Sequence, residues 1–150
     1  MIETILVGYD GSRPAERALE RAAELAGLAG ARVIVVSVGT IDPVVGAGAF
    51  GLAYPLPISV GEREAEDVWR EHRERVEALL REQGVEHEFV TSLGPADEEI
   101  VAQAEHRGAD LIVVGTREPG FLQRLLAGSV SAGVARKAHC DVLVVHPDRE

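Results

Sequence analysis

The sequence is poor in cysteine and in basic residues, and each scarcity excludes a class of protein. A single cysteine, Cys140, excludes an internal disulfide and fits a reducing environment. The 15 basic residues are outnumbered by 25 acidic ones, and the net charge is −10. Nonspecific nucleic-acid binders and proteins of anionic membrane surfaces need a basic face, so both classes are disfavoured. A polyanion would have to be held locally, by backbone N–H groups and a few arginines.

Long apolar runs and targeting signals are missing as well. No stretch approaches the ~18 apolar residues of a membrane span. The first residues enter a strand-like segment without a basic region before an apolar one, so we expect no signal peptide. At 150 residues, 46% of them hydrophobic, the chain suits one domain spanning 1–150. Cys140 is expected to be a small buried residue beside a strand rather than a reactive thiol.

Apolar patterns predict five strands that alternate with four helices. The predicted strands are 5–8, 31–36, 85–91, 110–115 and 141–145, and the predicted helices are 14–29, about 61–83, 94–107 and 129–138. Several strands are unbroken apolar runs, which is typical of strands buried on both faces of a parallel sheet. With right-handed crossovers, the pattern predicts an α/β fold with one doubly wound sheet and helices on both faces. Strand 85–91 alternates with polar residues and should be more exposed.

The helix 61–83 is unusually rich in charge. Its predicted buried stripe consists of Ala65, Val68, Trp69, His72, Val76, Leu79 and Leu80. Its opposite face carries acid-first pairs at i,i+4 spacing, the favourable order, namely Glu66–Arg70, Glu71–Arg75 and Glu77–Arg81. We interpret this face as solvated. The segment 39–59 before this helix is apolar and rich in glycine and proline. It is interpreted either as a mobile loop partly packed on the surface or as a flap over a ligand or partner.

Ligands of doubly wound sheets bind at the carboxyl ends of strands, where the strand order reverses. Three strand ends are therefore candidates: Asp10–Ser12, Ser37–Gly39 and Gly115–Thr116. Asp10 could accept hydrogen bonds from a ribose or base, or it could simply cap the following turn. Gly115 lacks a side chain, which would let a ligand approach its backbone.

The loop after strand four leads into a helix at Gly128 and Ser129. The first N–H groups of a helix are unpaired, and the positive end of the helix dipole lies behind them. Ser129 and Ser131 add hydroxyl donors, so this helix start could bind phosphate. The alternative is a serine that caps the helix with nothing bound.

These segments together resemble the universal stress protein family, and the resemblance covers nearly the whole chain. The segments that carry it are 5–12, 109–116, 126–131 and 138–145. It implies a five-stranded parallel sheet of order 3-2-1-4-5 in a cytoplasmic stress protein. It also implies a homodimer paired through the last strand, Val142–Val145, because an edge strand can pair with a second copy. Many members of this family bind ATP.

ATP-binding members share a signature of glycine, two residues, glycine, nine residues, glycine, and serine or threonine. Gly115 fits the first position and Gly128-Ser129 the last pair, but Glu118 occupies the middle glycine position. By resemblance, Asp10 and Gly115 would contact ribose and adenosine, and the backbone of Val38 would contact adenine. By resemblance too, the phosphates would be held by Gly128, Ser129, Val130 and Ser131.

Glu118 places a side chain and a negative charge where the triphosphate should lie. At ~5 Å and an effective dielectric of ~20, one charge pair costs roughly 3 kcal/mol, which is about 100-fold in affinity. Three arrangements would avoid this cost. Glu118 could turn towards Arg117 or Arg124, it could hold a Mg²⁺ that bridges to phosphate, or Gly120 could supply the close approach.

Rival folds and activities lack their residues. A response-regulator receiver needs an acceptor aspartate after strand three and a lysine after strand five, whereas the only lysine is Lys137. A dinucleotide-binding domain needs Gly-x-Gly-x-x-Gly after strand one, which Gly8–Pro14 does not supply. The five histidines have no metal-ligand spacing, and Ser129 has no base beside it. No catalytic residue is therefore predicted, and any ATPase activity would be slow.

Two functions remain open from the sequence. One is a regulatory protein that binds ATP, with or without Mg²⁺, and changes shape with it. The other is a dimeric stress protein that binds no nucleotide and acts through protein contacts. Glu118 favours the second, and the Gly128–Ser131 segment favours the first.

Overall fold

Strands and helices alternate throughout the computed structural model, which describes residues 1–39, 59–116 and 130–148. The elements are β1 (Thr4–Gly8), α1 (Arg13–Ala29), β2 (Arg32–Gly39), α2 (Ser59–Glu82), β3 (His87–Leu93), α3 (Ala96–Arg107), β4 (Leu111–Gly115), α4 (Val130–Lys137) and β5 (Asp141–Val145). The predicted alternation is therefore confirmed. The predicted loop 39–59 falls, but for its two end residues, outside the described part of the chain.

The strands form one parallel sheet of order β3-β2-β1-β4-β5, which confirms the parallel sheet predicted from the apolar pattern and the order implied by the family resemblance. β1 lies at the centre, where Leu6 stands opposite Ile34 of β2 and Ile112 of β4. The apolar residues of β1 and β4, and those of β2 up to Val36, are almost fully buried because helices cover both faces. β3 and β5 are the edges and are only partly buried, as expected for β3 from its polar alternation.

Alternate residues of each strand feed two hydrophobic cores. On one face, Ile5 and Val7 pack with α1 and with Val76 and Leu80 of α2. On the other face, Leu6 and Ile34 pack with apolar residues of α3 and α4. Each buried Val, Leu or Ile contributes roughly 1.5–3 kcal/mol relative to an exposed one, so these two cores supply most of the favourable free energy of folding. The buried face of α1 is mostly alanine, which brings this helix close to the sheet.

The ends of α1 follow the signals in its sequence. The Ser12 side chain caps the helix by accepting a hydrogen bond from the Ala15 N–H at 3.3 Å. Pro14 occupies the first turn, where its missing N–H has no cost. Gly30 ends the helix in the left-handed conformation, with φ of 69°, and its N–H bonds the Ala26 carbonyl.

Three details of the α2 region differ from the sequence prediction. β3 begins at His87 rather than at 85, because the Val85 N–H is used in the turn that closes α2, where it bonds the Leu80 carbonyl. Val68 was predicted to be buried but is 47% exposed. Arg75 pairs with Glu16 of α1 rather than with Glu71, so this cation joins two helices instead of stabilising one.

The other predicted charge pairs of α2 had mixed outcomes. Glu77 and Arg81 are paired at 3.5 Å, as predicted. Arg70 pairs at 3.5 Å with Asp67, one turn away at i,i+3 spacing, instead of with Glu66. All of these arginines are well exposed, so each pair contributes little to stability. None of the described helices is long and apolar enough to cross a membrane.

Candidate functional site

A cavity of about 530 Å³ lies at the carboxyl ends of β1, β2 and β4, where the strand order reverses. Five of the seven residues predicted to bind nucleotide line it, and these are Asp10, Val38, Gly115, Val130 and Ser131. The other two, Gly128 and Ser129, lie outside the described residues, and so does Glu118. The contacts of all seven with a nucleotide stay a prediction.

Asp10 lines the cavity and also shapes the turn that follows β1. Its Oδ1 accepts a hydrogen bond from the Ser12 N–H at 2.9 Å, which is the turn-capping role left open by the sequence. Gly11 lies between them with φ of 79°, a conformation that favours glycine. The turn bond engages one oxygen of an exposed carboxylate, and a carboxylate can accept about four hydrogen bonds. Asp10 can therefore cap the turn and accept hydrogen bonds from a ligand at the same time.

Gly115 lines the cavity, but packing against α1 explains why it is glycine. A Cβ at this position would overlap the carbonyl oxygen of Pro14 and lie 2.9 Å from the Pro14 Cβ. The sequence suggested that a ligand approaches the Gly115 backbone closely. In the structure, the first turn of α1 makes this close approach. Gly8, at the end of β1, is restricted less strictly, because a Cβ there would lie 2.7 Å from Ile100 Cδ1, the end of a side chain that can shift.

Apart from Val38, the apolar wall of the cavity was missed in the sequence. Ala96 and Ile100 of α3 face the same space as Val36 and Val38 of β2 and Val114 of β4. The contribution of α3 to this wall could have been inferred from the predicted strand order. The connection from β3 to β4 must cross β2 and β1, so α3 has to begin beside the point where the order reverses.

The first two residues of α4, Val130 and Ser131, complete the described lining at the start of a helix. α4 is held against α3 by the Lys137 ammonium, which donates to Asp97 Oδ2 at 2.8 Å. This bond lowers the pKa of Asp97 and raises that of Lys137. Gly133 lets the helices approach, because a Cβ there would overlap the Asp97 carboxylate. These contacts fix where the start of α4 lies relative to the sheet.

The chemistry of the described lining suits binding. Asp10 is the only charged residue among the described residues that line the cavity. Within the same described ranges, no three His, Cys, Asp or Glu side chains are grouped so as to hold a metal ion.

Cys140, half-buried just before β5, lies beside a separate cavity of about 190 Å³, and burial raises the pKa of its thiol. A raised pKa disfavours the reactive thiolate.

Comparison with known proteins identifies the family. The model of the universal stress protein family matches residues 1–146. The chain belongs to the universal stress protein family. A universal stress protein of Thermus aquaticus is 37% identical over 151 residues, covering 97% of this chain and 99% of the relative. Universal stress protein MJ0531 of Methanocaldococcus jannaschii is 33% identical over 145 residues, covering 97% of this chain and 82% of the relative.

Solved structures of the family share the fold, and two of them hold an adenine nucleotide. The protein MJ0577 matches with a TM-score of 0.76 at 26% identity, covering 100% of this chain and 99% of that one. A universal stress protein in complex with cAMP matches with a TM-score of 0.69 at 29% identity, covering 97% of each chain. One from Archaeoglobus fulgidus in complex with dAMP matches with a TM-score of 0.63 at 25% identity, covering 97% of this chain and 98% of that one.

Proposed function

We propose that this universal stress protein binds an adenine nucleotide in the cavity at the ends of β1, β2 and β4, and that binding serves a regulatory role in the stress response. The observation that carries the proposal is the convergence of five residues, chosen from the sequence, on one cavity at the strand-order reversal. Related structures with cAMP and dAMP support an adenine nucleotide as the ligand.

The chemistry of the lining fits the three parts of a nucleotide. The apolar wall that includes Val38 and Ile100 suits the flat, mostly apolar adenine ring. The free acceptor capacity of Asp10 suits the hydroxyl groups of a ribose. The N–H groups at the start of α4, at Val130 and Ser131, suit an anion such as phosphate because the positive end of the helix dipole lies there.

ATP is the nucleotide that we propose, as the sequence resemblance implies. Gly128 and Ser129 would extend the phosphate site begun by Val130 and Ser131. Mg²⁺ would offset part of the triphosphate charge in a protein whose net charge is −10. We propose binding without a hydrolysis step, because the sequence offers no candidate general base beside the phosphate-binding segment.

We also propose that the protein is a cytoplasmic homodimer paired through β5. This strand is one edge of the sheet, and each of Val142–Val145 is only partly buried. Pairing of β5 with the β5 strand of a second copy would satisfy the backbone N–H and C=O groups on the side of β5 that does not pair with β4. Sedimentation equilibrium should give twice the monomer mass, and Val144→Lys should shift the protein towards the monomer. A monomer at all accessible concentrations would contradict this pairing.

A second candidate function is a dimeric stress protein that binds no nucleotide and acts through protein contacts. The observation that favours it is Glu118, which stands at the middle glycine of the ATP signature. It predicts that the cavity stays empty at physiological ATP concentrations. The two candidates differ in one measurable quantity, the affinity for ATP.

Calorimetric titration of the ligand-stripped protein with ATP and Mg²⁺ tests the proposal. We expect a dissociation constant in the micromolar range, which corresponds to about −8 kcal/mol. Asp10→Asn keeps a side-chain oxygen for the Ser12 N–H but removes the charge, and it should weaken binding about 10-fold, as loss of one charge-assisted hydrogen bond does. Glu20→Gln, an exposed change of the same kind on α1, is the matched control. Absence of saturation up to millimolar ATP would favour the second candidate.

A further inference from the structure

His72 of α2 lies against the turn that follows β1, although it belongs to the outer layer of the fold. Its Nδ1 is 2.9 Å from the Ser37 Oγ, at the end of β2. Its ring meets that of Tyr9 edge-on, with centroids 5.2 Å apart and planes at 89°. Its Nε2 faces Gly11, where an added Cβ would lie 2.5 Å away. One half-buried imidazole thus contacts two strand ends and the turn between β1 and α1.

The turn that His72 contacts is the one that presents Asp10 to the cavity. Tyr9, Asp10 and Ser12 all line the cavity, whereas His72 packs on the turn from the α2 side. A change in the His72 ring therefore reaches Asp10 through the backbone of Gly11, without any contact between His72 and a ligand. This arrangement is that of a positioning residue.

The surroundings of His72 favour its neutral form. Burial lowers its pKa, against the opposing effect of the Asp10 and Glu71 carboxylates. Ser37 is buried and offers a hydroxyl that can donate to or accept from Nδ1, so the neutral ring can be bonded in either tautomer. At neutral pH, the ring thus packs against Tyr9 without a charge.

Two further charged groups, Glu16 and Arg75, act on the neighbouring Tyr9. Glu16 of α1 pairs with Arg75, one turn along α2 from His72. The Tyr9 hydroxyl is buried near the Glu16 carboxylate, and burial together with this carboxylate raises the pKa of Tyr9. Tyr9 therefore stays neutral when His72 changes charge, and Asp10 is the carboxylate of the turn that responds.

Protonation would change the hydrogen-bonding role of both nitrogens of the His72 ring. Nδ1 would become a donor only, which would fix Ser37 as the acceptor, and Nε2 would carry an N–H and a share of the positive charge towards the turn. The charged ring would attract the Asp10 carboxylate and compete with the Ser12 N–H and with ligand hydroxyls for it.

We propose that neutral His72 holds the Tyr9–Ser12 turn in the conformation that presents Asp10 to the nucleotide, and that protonation of His72 weakens nucleotide binding. This inference rests on the proposed nucleotide site. It adds a proton-linked control of affinity through a residue outside the cavity. By thermodynamic reciprocity, a bound nucleotide must disfavour protonation of His72 to the same extent.

The test is a titration of cAMP into the protein at about pH 7.5 and about pH 5.5, the range in which histidine changes charge. cAMP is the probe because the terminal phosphate of other nucleotides itself titrates near a pKa of about 6. We expect wild-type affinity to fall on acidification. The fall should grow with the protonated fraction of His72, up to the full coupling between the two sites, which is typically about 5-fold or more.

Two variants isolate the effect of His72. His72→Asn keeps an amide near the Nδ1 position for Ser37 but cannot become charged, so its affinity should change less than about 2-fold over the same pH range. His106→Gln removes an exposed histidine on α3 and should keep the wild-type pH dependence. Equal pH dependence in the wild type and in His72→Asn would overturn the inference.

A second readout is the pKa of His72 from its ring proton resonances, assigned by comparison with His72→Asn and measured with and without cAMP. We expect a lower pKa in the complex, and an unchanged pKa would overturn the inference even if His72→Asn binds weakly. Absence of cAMP and ATP binding at every pH would instead refute the proposed function and the inference together. Binding without pH dependence would refute the inference alone.

Discussion

Replacing Gly115 by alanine separates two explanations for the glycine at the end of β4. One explanation is access for a ligand, in which case the methyl group should matter only when nucleotide is present. The structure favours the other, because the new Cβ would overlap the carbonyl oxygen of Pro14. That oxygen belongs to the backbone of the first turn of α1, so no side-chain rotation can relieve the overlap. Either α1 or the end of β4 has to move.

The magnitude follows from the kind of contact. Forcing a methyl group into a well-packed region costs about 1–3 kcal/mol of unfolding free energy. The upper half of that range is expected, since α1 is anchored by the Ser12 cap and by buried Ala15 next to Pro14. With a urea m-value of about 2 kcal/mol/M, a loss of about 2 kcal/mol lowers the unfolding midpoint by about 1 M urea.

The assay is urea unfolding without nucleotide, and Gly27→Ala is the matched control. Gly27 lies near the end of the same helix, and an added Cβ there would have nothing within 4 Å. Since glycine destabilises a helix by about 0.5–1 kcal/mol relative to alanine, this control should gain stability. The two substitutions add the same methyl group, but Gly115→Ala should lower the free energy of unfolding and Gly27→Ala should raise it. A Gly115→Ala protein as stable as the wild type would refute the packing explanation.

Two further predictions concern charge. Glu118→Gly restores the ATP signature and should tighten ATP binding by up to about 100-fold, as measured calorimetrically, whereas unchanged affinity would show that Glu118 faces away from the ligand. The pKa of Asp97 is lowered chiefly by its bond to Lys137, so the folded protein holds the Asp97 proton less tightly than the unfolded chain does. The stability gained this way is present above the ordinary aspartate pKa of 3.8 and is lost as the pH falls through the folded value. Asp97→Asn should therefore lower thermal stability at neutral pH, and this loss should shrink as the pH falls below 3.8. A loss that stays the same at acidic pH would contradict this.

The sheet could be predicted from the sequence because its signal is spread over many residues. Unbroken apolar runs such as Leu111–Val114 can be buried on both faces only in a covered parallel sheet. Five strands that alternate with helices, together with right-handed crossovers and the family resemblance, specify the order that the structure shows. The ends of α1 were equally readable from Pro14 and Gly30, which act on neighbouring backbone groups, whereas the cap by Ser12 was not predicted.

Contacts between elements could not be predicted in the same way. Arg75 satisfies a local spacing rule with Glu71, yet it pairs with Glu16, because α1 and α2 lie side by side over one face of the sheet. Val68 fits the helical stripe by spacing but lies where α2 no longer faces the core. Such partners depend on how whole helices pack, and a single helix pattern carries no information on its neighbour.

Gly115, the first glycine of the ATP signature, does not by itself indicate nucleotide binding. Gly115 is required by the packing of α1 on β4, so a family member that had lost its nucleotide would still be expected to keep it. Its presence consequently supports the fold rather than the ligand. The case for binding rests instead on Asp10, whose turn bond leaves acceptor capacity, and on the cavity that Val130 and Ser131 complete at the start of α4. Neither of these depends on Gly115, so the affinity of Glu118→Gly relative to the wild type measures directly what the broken signature costs.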